Sequence, residues 1–226
     1  LLARSKRKKP APEAVAVIGL GRFGTAVAQA LLQSGHDVLA IDSDEKLVQL
    51  VADEMPHVIQ ADTTDPDALR QIGLVDFQRV VVGIGSDVEA SVLTVMGLTD
   101  LGIPQIWAKA VHRTHGRILE RVGAHHVVYP EERMGRQVAR LVTGKMIDAI
   151  EFDEDFSIVK TRAPQALVGS LLGIIDTMKD YGVAIIGVKP KDGPFRHVTQ
   201  DIVIQADDLL VVAGCNESCE AFAALD

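Results

Sequence analysis

The chain has 226 residues, 47% of them hydrophobic and 24% charged, with a formal net charge of −8. That balance excludes a disordered protein, and the length allows one large domain or two small ones with real cores. The longest apolar runs, such as Val80–Ile84 and Leu209–Cys215, fall well short of the ~20 residues a membrane-spanning helix needs.

Leu1–Pro12 reads LLARSKRKKPAP and carries five basic residues. It lacks the hydrophobic region of a secretory signal and is set aside as a disordered basic tail over residues 1–13. It reads either as a solubilising arm or as a polybasic segment held near anionic lipid, each cation contributing about 1 kcal/mol there. From Gly144 onward 14 acidic residues stand against 7 basic ones. With the tail removed both parts of the body are acidic, which argues against nucleic acid as a partner. Cys215 and Cys219 are the only cysteines. They are too few for a disulfide framework or a zinc site and read as free thiols in a reducing cytoplasm.

From Ala14 to Thr143 short apolar strands alternate with amphipathic segments. Val15–Leu20 is a strand buried on both faces, and Phe23–Ser34 is a helix with Ala26, Val27, Ala30 and Leu31 at helical spacing. Gly35 ends that helix. Val38–Ile41, Val58–Gln60, Val80–Ile84, Ile106–Lys109 and His126–Tyr129 are the later strands. Asp44–Asp53, Asp65–Ile72, Glu89–Leu101, Arg113–Val122 and Glu131–Thr143 are the helices between and after them. Regular β-α alternation predicts an α/β fold, a Rossmann-like doubly wound parallel sheet with helices on both faces.

The first strand runs into Gly19-Leu20-Gly21-Arg22-Phe23-Gly24. A lone GxGxxG says little, but here it follows a strand and opens a helix. Gly19 makes the tight turn, Gly21 lets a phosphate approach the backbone, and Gly24 lets helix and sheet pack closely. The free N–H groups of the helix start supply an anion site. Asp42 ends the second strand 18 residues past Gly24, where a carboxylate accepts hydrogen bonds from ribose hydroxyls. Ser43 and Asp44 follow, with no arginine for a 2′-phosphate, so an adenosine with a free 2′-OH is favoured over NADP. The alternative for Asp42 is a simple helix cap. Asp62, Thr63 and Thr64 follow the third strand at the adenine edge, and Asp62 or Thr64 has the same alternative. Ile84 and Gly85, at the end of the fourth strand, join the candidate nucleotide-binding set. So does Lys109, which ends the fifth strand at the carboxyl edge.

A dehydrogenase needs a group that moves protons beside the hydride. The only tyrosines are Tyr129 and Tyr181, and Arg133 and Ile185 stand four residues on where a Tyr-x-x-x-Lys pair needs lysine. His112 and His115, three apart, read as solvated polar positions. His125 and His126 enter a strand and point to opposite faces. After Gly144–Ile150, read as a hinge, strands are expected at Ala149–Phe152, Ser157–Lys160, Val183–Lys189 and Leu209–Ala213. A short edge at Ile202–Ile204, a turn and helix within Val168–Asp180 and a helix over Glu217–Leu225 complete a small α+β lobe suited to dimerisation.

These segments carry a resemblance. AVIGLGRFG, HVIQADTTD, IWAKA and ERVGAHHVVYPEERMG resemble the KtrA/TrkA-type RCK proteins, regulators of potassium conductance. Arg22-Phe23 within the glycine loop and the Gly123-Ala124, Tyr129-Pro130-Glu131 and Met134-Gly135 pattern are its most specific parts. The resemblance implies an RCK-N domain over residues 14–143 and an RCK-C (TrkA-C) domain over 144–226. It implies dimers assembling into an octameric ring, peripheral on the inner face of the membrane beneath an integral-membrane potassium channel subunit. It implies ATP and ADP competing for the cleft, with NAD and NADH binding in the TrkA branch. Residue by residue, Gly19, Gly21 and Gly24 match the phosphate loop, Asp42 the ribose carboxylate, and Asp62 and Thr63 the adenine positions. Arg22 matches an arginine reaching the γ-phosphate bound in the neighbouring subunit. Glu131 matches a glutamate that helps hold a cation, divalent or monovalent, near the terminal phosphate; its alternative is a glutamate stabilised by a helix dipole. Cyclic di-AMP, bound by some RCK-C domains through Asn-x-Arg before Tyr-Gly, is disfavoured. Asp176-Thr177-Met178 stands there before Tyr181-Gly182, an aspartate repels a phosphodiester, and Met178 cannot donate. If it bound, Ile174, Ile175 and Ala184–Ile186 would line its site. The rival readings are a small NAD-dependent oxidoreductase and a nucleotide-sensing ring serving another membrane protein.

Overall fold

In a computed structural model the described residues are 14–142, 146–153 and 155–225. The basic tail lies outside them, as do Thr143, the last residue of the expected helix, and residues 144–145 of the expected hinge. The chain divides into two compact units between Glu131 and Glu132.

The first unit is built on a six-stranded parallel sheet in the order β3-β2-β1-β4-β5-β6. The strands are β1 (Val15–Ile18), β2 (Val38–Asp42), β3 (Val58–Gln60), β4 (Arg79–Val82), β5 (Gln105–Lys109) and β6 (His126–Val128). Helices α1 (Arg22–Gln33), α2 (Glu45–Val51), α3 (Pro66–Ile72), α4 (Val88–Asp100) and α5 (Arg113–Arg121) connect them. β1 is buried along its whole length, which is why its sequence reads as an unbroken apolar run rather than an alternation. Two apolar clusters cover its faces: Ile18, Val80, Val82, Leu98 and Ile106 on one, Val17, Ala28, Val38 and Ala40 on the other. The strand order reverses between β1 and β4, and that switch point is where an α/β sheet opens a crevice beyond its carboxyl ends.

Helix starts are set by short polar side chains. Asp44, Asp65 and Asp87 cap α2, α3 and α4, each carboxylate accepting a backbone N–H from the first turn. Pro66 at the first position of α3 fixes that boundary. Neither Asp42 nor Asp62 nor Thr64 is a helix cap, so the alternative weighed for all three falls. At β5–β6, Trp107 stacks on His126 with centroids 3.9 Å apart.

Of the two histidines read as solvated, His112 is exposed and His115 is not. His112 caps α5 through Nδ1, which accepts the His115 N–H. His115 is fully buried rather than solvated, and its Nδ1 accepts the Val111 N–H at 3.3 Å. Burial, and secondarily the charge of His112, lower its pKa below the ordinary 6.5. The unfolded chain therefore binds the proton more readily, so this contribution to stability is present above about pH 6.5 and is lost as the pH falls below it. The thermal midpoint is expected to drop between about pH 7.5 and about pH 5.5. His115→Asn, which keeps an acceptor for Val111, is expected to shrink that drop in paired thermal melts; an unchanged drop assigns the dependence to other groups.

The second unit starts within α6 (Pro130–Val142), which the strand-helix reading keeps with the first as far as Thr143. Its five-stranded sheet has the order β10-β9-β11-β8-β7 and is antiparallel throughout. The strands are β7 (Met146–Asp153), β8 (Phe156–Arg162), β9 (Val183–Lys189), β10 (Arg196–His197) and β11 (Leu209–Cys215), with helices α7 (Thr177–Tyr181) and α8 (Asn216–Ala223). Val159, Val183, Leu210, Val212, Cys219 and Phe222 form its core. Most of the expected hinge is strand β7. The helix expected within Val168–Asp180 is confined to α7, and the expected edge at Ile202–Ile204 is reduced to an isolated Leu171–Val203 bridge.

Candidate functional site

The loops leaving the carboxyl ends of the first-unit strands enclose a cleft of about 640 Å³. Its lining gathers almost all of the sequence-derived set: Gly19, Gly21, Arg22, Phe23, Asp42, Ser43, Asp62, Thr63, Ile84, Gly85, Lys109 and Glu131. Gly24 is the exception. It lies beneath the loop, where a Cβ would overlap the Gly19 carbonyl oxygen. Gly19 itself adopts φ +88, which favours glycine. A Cβ on Gly21 would meet nothing within 4 Å, so the surface there is open toward the cleft.

One end of the cleft is prepared for an anion. α1 begins at Gly21 with no side-chain cap and no acidic residue in its first turn, whereas α2, α3 and α4 each begin at a capping Asp. The unpaired N–H groups and the helix dipole at such an end favour negative charge. Arg22 and Phe23 belong to this turn. The Lys109 Nζ stands 5.8 Å from the Phe23 ring centre and 2.6 Å from the Glu131 carboxylate. That hydrogen bond, with the nearby charges of Lys109 and Arg22, holds the Glu131 carboxyl below the usual carboxylate range.

The side of the cleft formed by the ends of β2 and β3 is acidic. The Asp42 carboxylate accepts the Leu20 N–H at 2.6 Å and the Asp44 N–H at 2.8 Å, tying the glycine loop to the end of β2. Asp62 accepts both the side-chain and backbone donors of Thr64, which lower its pKa in that order. Behind this wall the buried Thr63 and Thr94 hydroxyls pair at 2.9 Å. Among the described residues no group of three or more His, Cys, Asp and Glu could hold a metal ion, so a cation at Glu131 would need ligands beyond those side chains.

Thr64, read with Asp62 and Thr63 at the adenine edge, also lines the cleft, and so do Asp44, Leu47, Gly83, Ser86, Asp87, Ala90 and Val111, which stand outside the nucleotide set read from the sequence. Gly83, Ser86 and Asp87 had a readable signal, since they flank Ile84 and Gly85 in the turn directly after β4 at the switch point. Leu47 and Ala90 had none, since each is an ordinary helix position.

A parallel sheet in this order, with a glycine turn at its switch point, defines a Rossmann-type domain. The family model of the TrkA-N domain matches residues 15–130. Ktr system potassium uptake protein C of Bacillus subtilis (strain 168) is 36% identical over 200 residues, covering 88% of this chain and 90% of that protein. Ktr system potassium uptake protein A of the same organism is 32% identical over 208 residues, covering 92% and 94%. The chain therefore belongs to the TrkA-N family, with the Ktr system potassium uptake proteins among its relatives. The solved GsuK RCK domain shares the fold with a TM-score of 0.66 at 16% identity, covering 97% of this chain, which spans 49% of that one. GsuK structures bound to NAD and to ADP each give a TM-score of 0.53, at 20% and 24% identity, covering 94% and 59% of this chain and 38% and 35% of theirs. No helix among the described residues is long and apolar enough to cross a membrane.

Proposed function

We propose that the chain is a cytoplasmic regulatory subunit of a potassium-conducting membrane protein, and that it binds ATP or ADP in the first-unit cleft and couples occupancy to conductance without turning the nucleotide over. The observation that carries this reading is the pairing of an anion site with a carboxylate in one cleft. An uncapped helix start beside Arg22 and Lys109 suits phosphates, and Asp42, on the β2 side of the same glycine loop, suits ribose hydroxyls. The names of the Ktr relatives support a potassium-uptake setting. Exposed Met134, Val138 and Val142, four residues apart on α6, and exposed Phe152 and Phe156 support assembly with further copies. We assign Glu131 the supply of one carboxylate oxygen to a cation beside the terminal phosphate.

A ligand shifts such an assembly only by its differential affinity for two conformations. Arg22 reaching a γ-phosphate across a subunit boundary would create that difference between ATP and ADP. Arg22→Ala is expected to keep ADP binding within a few-fold and to lose about tenfold of the ATP preference, the scale of one charge-assisted hydrogen bond. Calorimetry on the two nucleotides checks it, and a wild-type ATP/ADP ratio in the variant would remove Arg22 from the switch.

The second reading takes NAD or NADH as the ligand and is favoured by the NAD-bound GsuK structure. Thermal melts against ATP, ADP, NAD, NADH, NADP and cyclic di-AMP separate the two, because a ligand that binds only the native state raises the midpoint by mass action. Stabilisation by ATP and ADP with little from the nicotinamides supports the first reading. Stabilisation by NADH alone replaces it with the second.

A further inference from the structure

The Lys109–Glu131 pair is asymmetric in a way a simple surface ion pair is not. The Lys109 side chain is 12% exposed and the Glu131 side chain 60%. The ammonium is enclosed by the Phe23 ring and by Gly85, where a Cβ would come within 3.0 Å of Nζ. A displaced carboxylate at this site would be solvated at once, whereas the enclosed ammonium needs an anion whatever happens to Glu131. That ammonium also stands beside the first turn of α1, the end of the cleft prepared for phosphate.

We infer that Glu131 is an internal competitor of the ligand: it occupies the Lys109 ammonium, and a terminal phosphate gains that ammonium only by displacing it. The inference rests on the nucleotide reading of the cleft. A terminal phosphate carries up to two negative charges and competes well. The bridging diphosphate of a dinucleotide carries one charge on each doubly esterified phosphate and competes poorly. The pair therefore grades ligands by terminal charge, with Lys109 as the specificity-determining residue and Glu131 as the restraint on it. Because Glu131 lies in the first turn of α6, the exchange also changes the charge balance at the start of that helix.

The test is calorimetry on the full chain in the presence of a chelator, with ATP, ADP and NAD as ligands. The proteins are wild type, Glu131→Gln, Lys109→Gln and the double variant. Glu131→Gln is expected to bind ATP and ADP about fivefold more tightly, the order of one partly exposed ion pair, with NAD changed less than about twofold. In the Lys109→Gln background the same substitution is expected to give no gain. No gain for Glu131→Gln overturns the inference, and so does a gain that survives loss of Lys109, which would be direct repulsion between Glu131 and phosphate. A Glu131 acting only as a cation ligand would show its effect with magnesium and not with chelator, which also overturns it. Failure of the wild type to bind any of the three nucleotides is a distinct result and overturns the nucleotide reading itself.

Discussion

Gly24→Ala is expected to destabilise the first unit by at least about 3 kcal/mol and to abolish nucleotide binding with it. Helix propensity alone points the other way, since alanine in a helix interior is better than glycine by about 1 kcal/mol. The opposing contact is with backbone: the new Cβ would overlap the Gly19 carbonyl oxygen, and a Cβ on Gly83 would also approach that oxygen at 3.0 Å. A carbonyl held between two glycines cannot rotate away as a side chain would. Gly21→Ala makes the contrast. Its Cβ meets nothing within 4 Å, so the melting midpoint is expected to stay within a few degrees, while ADP affinity falls about tenfold or more because a methyl group stands on the anion's approach. Denaturant melts and calorimetry on the two variants separate the packing glycine from the binding glycine. A stable Gly24→Ala protein that binds ADP normally would show that this loop can rearrange.

Asp42→Ala is expected to weaken ATP and ADP binding about 100-fold. Two charge-assisted hydrogen bonds to ribose hydroxyls contribute about 1.5–3 kcal/mol each, partly offset because the carboxylate already accepts backbone donors. Removing it also leaves the Leu20 and Asp44 N–H groups without this acceptor, so the melting midpoint falls as well. Asp42→Asn keeps one acceptor oxygen and is expected to be nearer wild type in stability, with relaxed discrimination against a 2′-phosphate. Calorimetry with ADP and with NADP checks both effects. An Asp42→Ala protein that retains ADP affinity would place the ribose elsewhere.

The first unit is legible in the sequence because its central strands are buried on both faces and its turns are marked by glycine. Val15–Ile18 and the glycine loop need only local pattern and order along the chain. The cap of α3 is Asp65 rather than Asp62 or Thr64, and Pro66 marks that helix start. His115 misleads because a polar residue beside a helix cap resembles a surface position, and only tertiary packing buries it. The second unit is harder. β7 mixes Asp148 and Glu151 with exposed Ile150 and Phe152, so it lacks the clean alternation of a half-buried strand. Within Val168–Asp180, Gly169 at φ +84 and the bridge at Leu171 keep most of the segment out of a helix. For the candidate site, the sequence indicates the ends of the strands but not their neighbours across the cleft. The pairing of Lys109 with Glu131 joins residues 22 positions apart and follows from no local rule.

Trp107 is the chain's only tryptophan, half-exposed and stacked on His126, two residues before the Lys109 whose ammonium borders the cleft. Intrinsic indole fluorescence therefore has a single emitter and reports from β5 without a dye. A nucleotide titration followed by that emission reads the first unit directly.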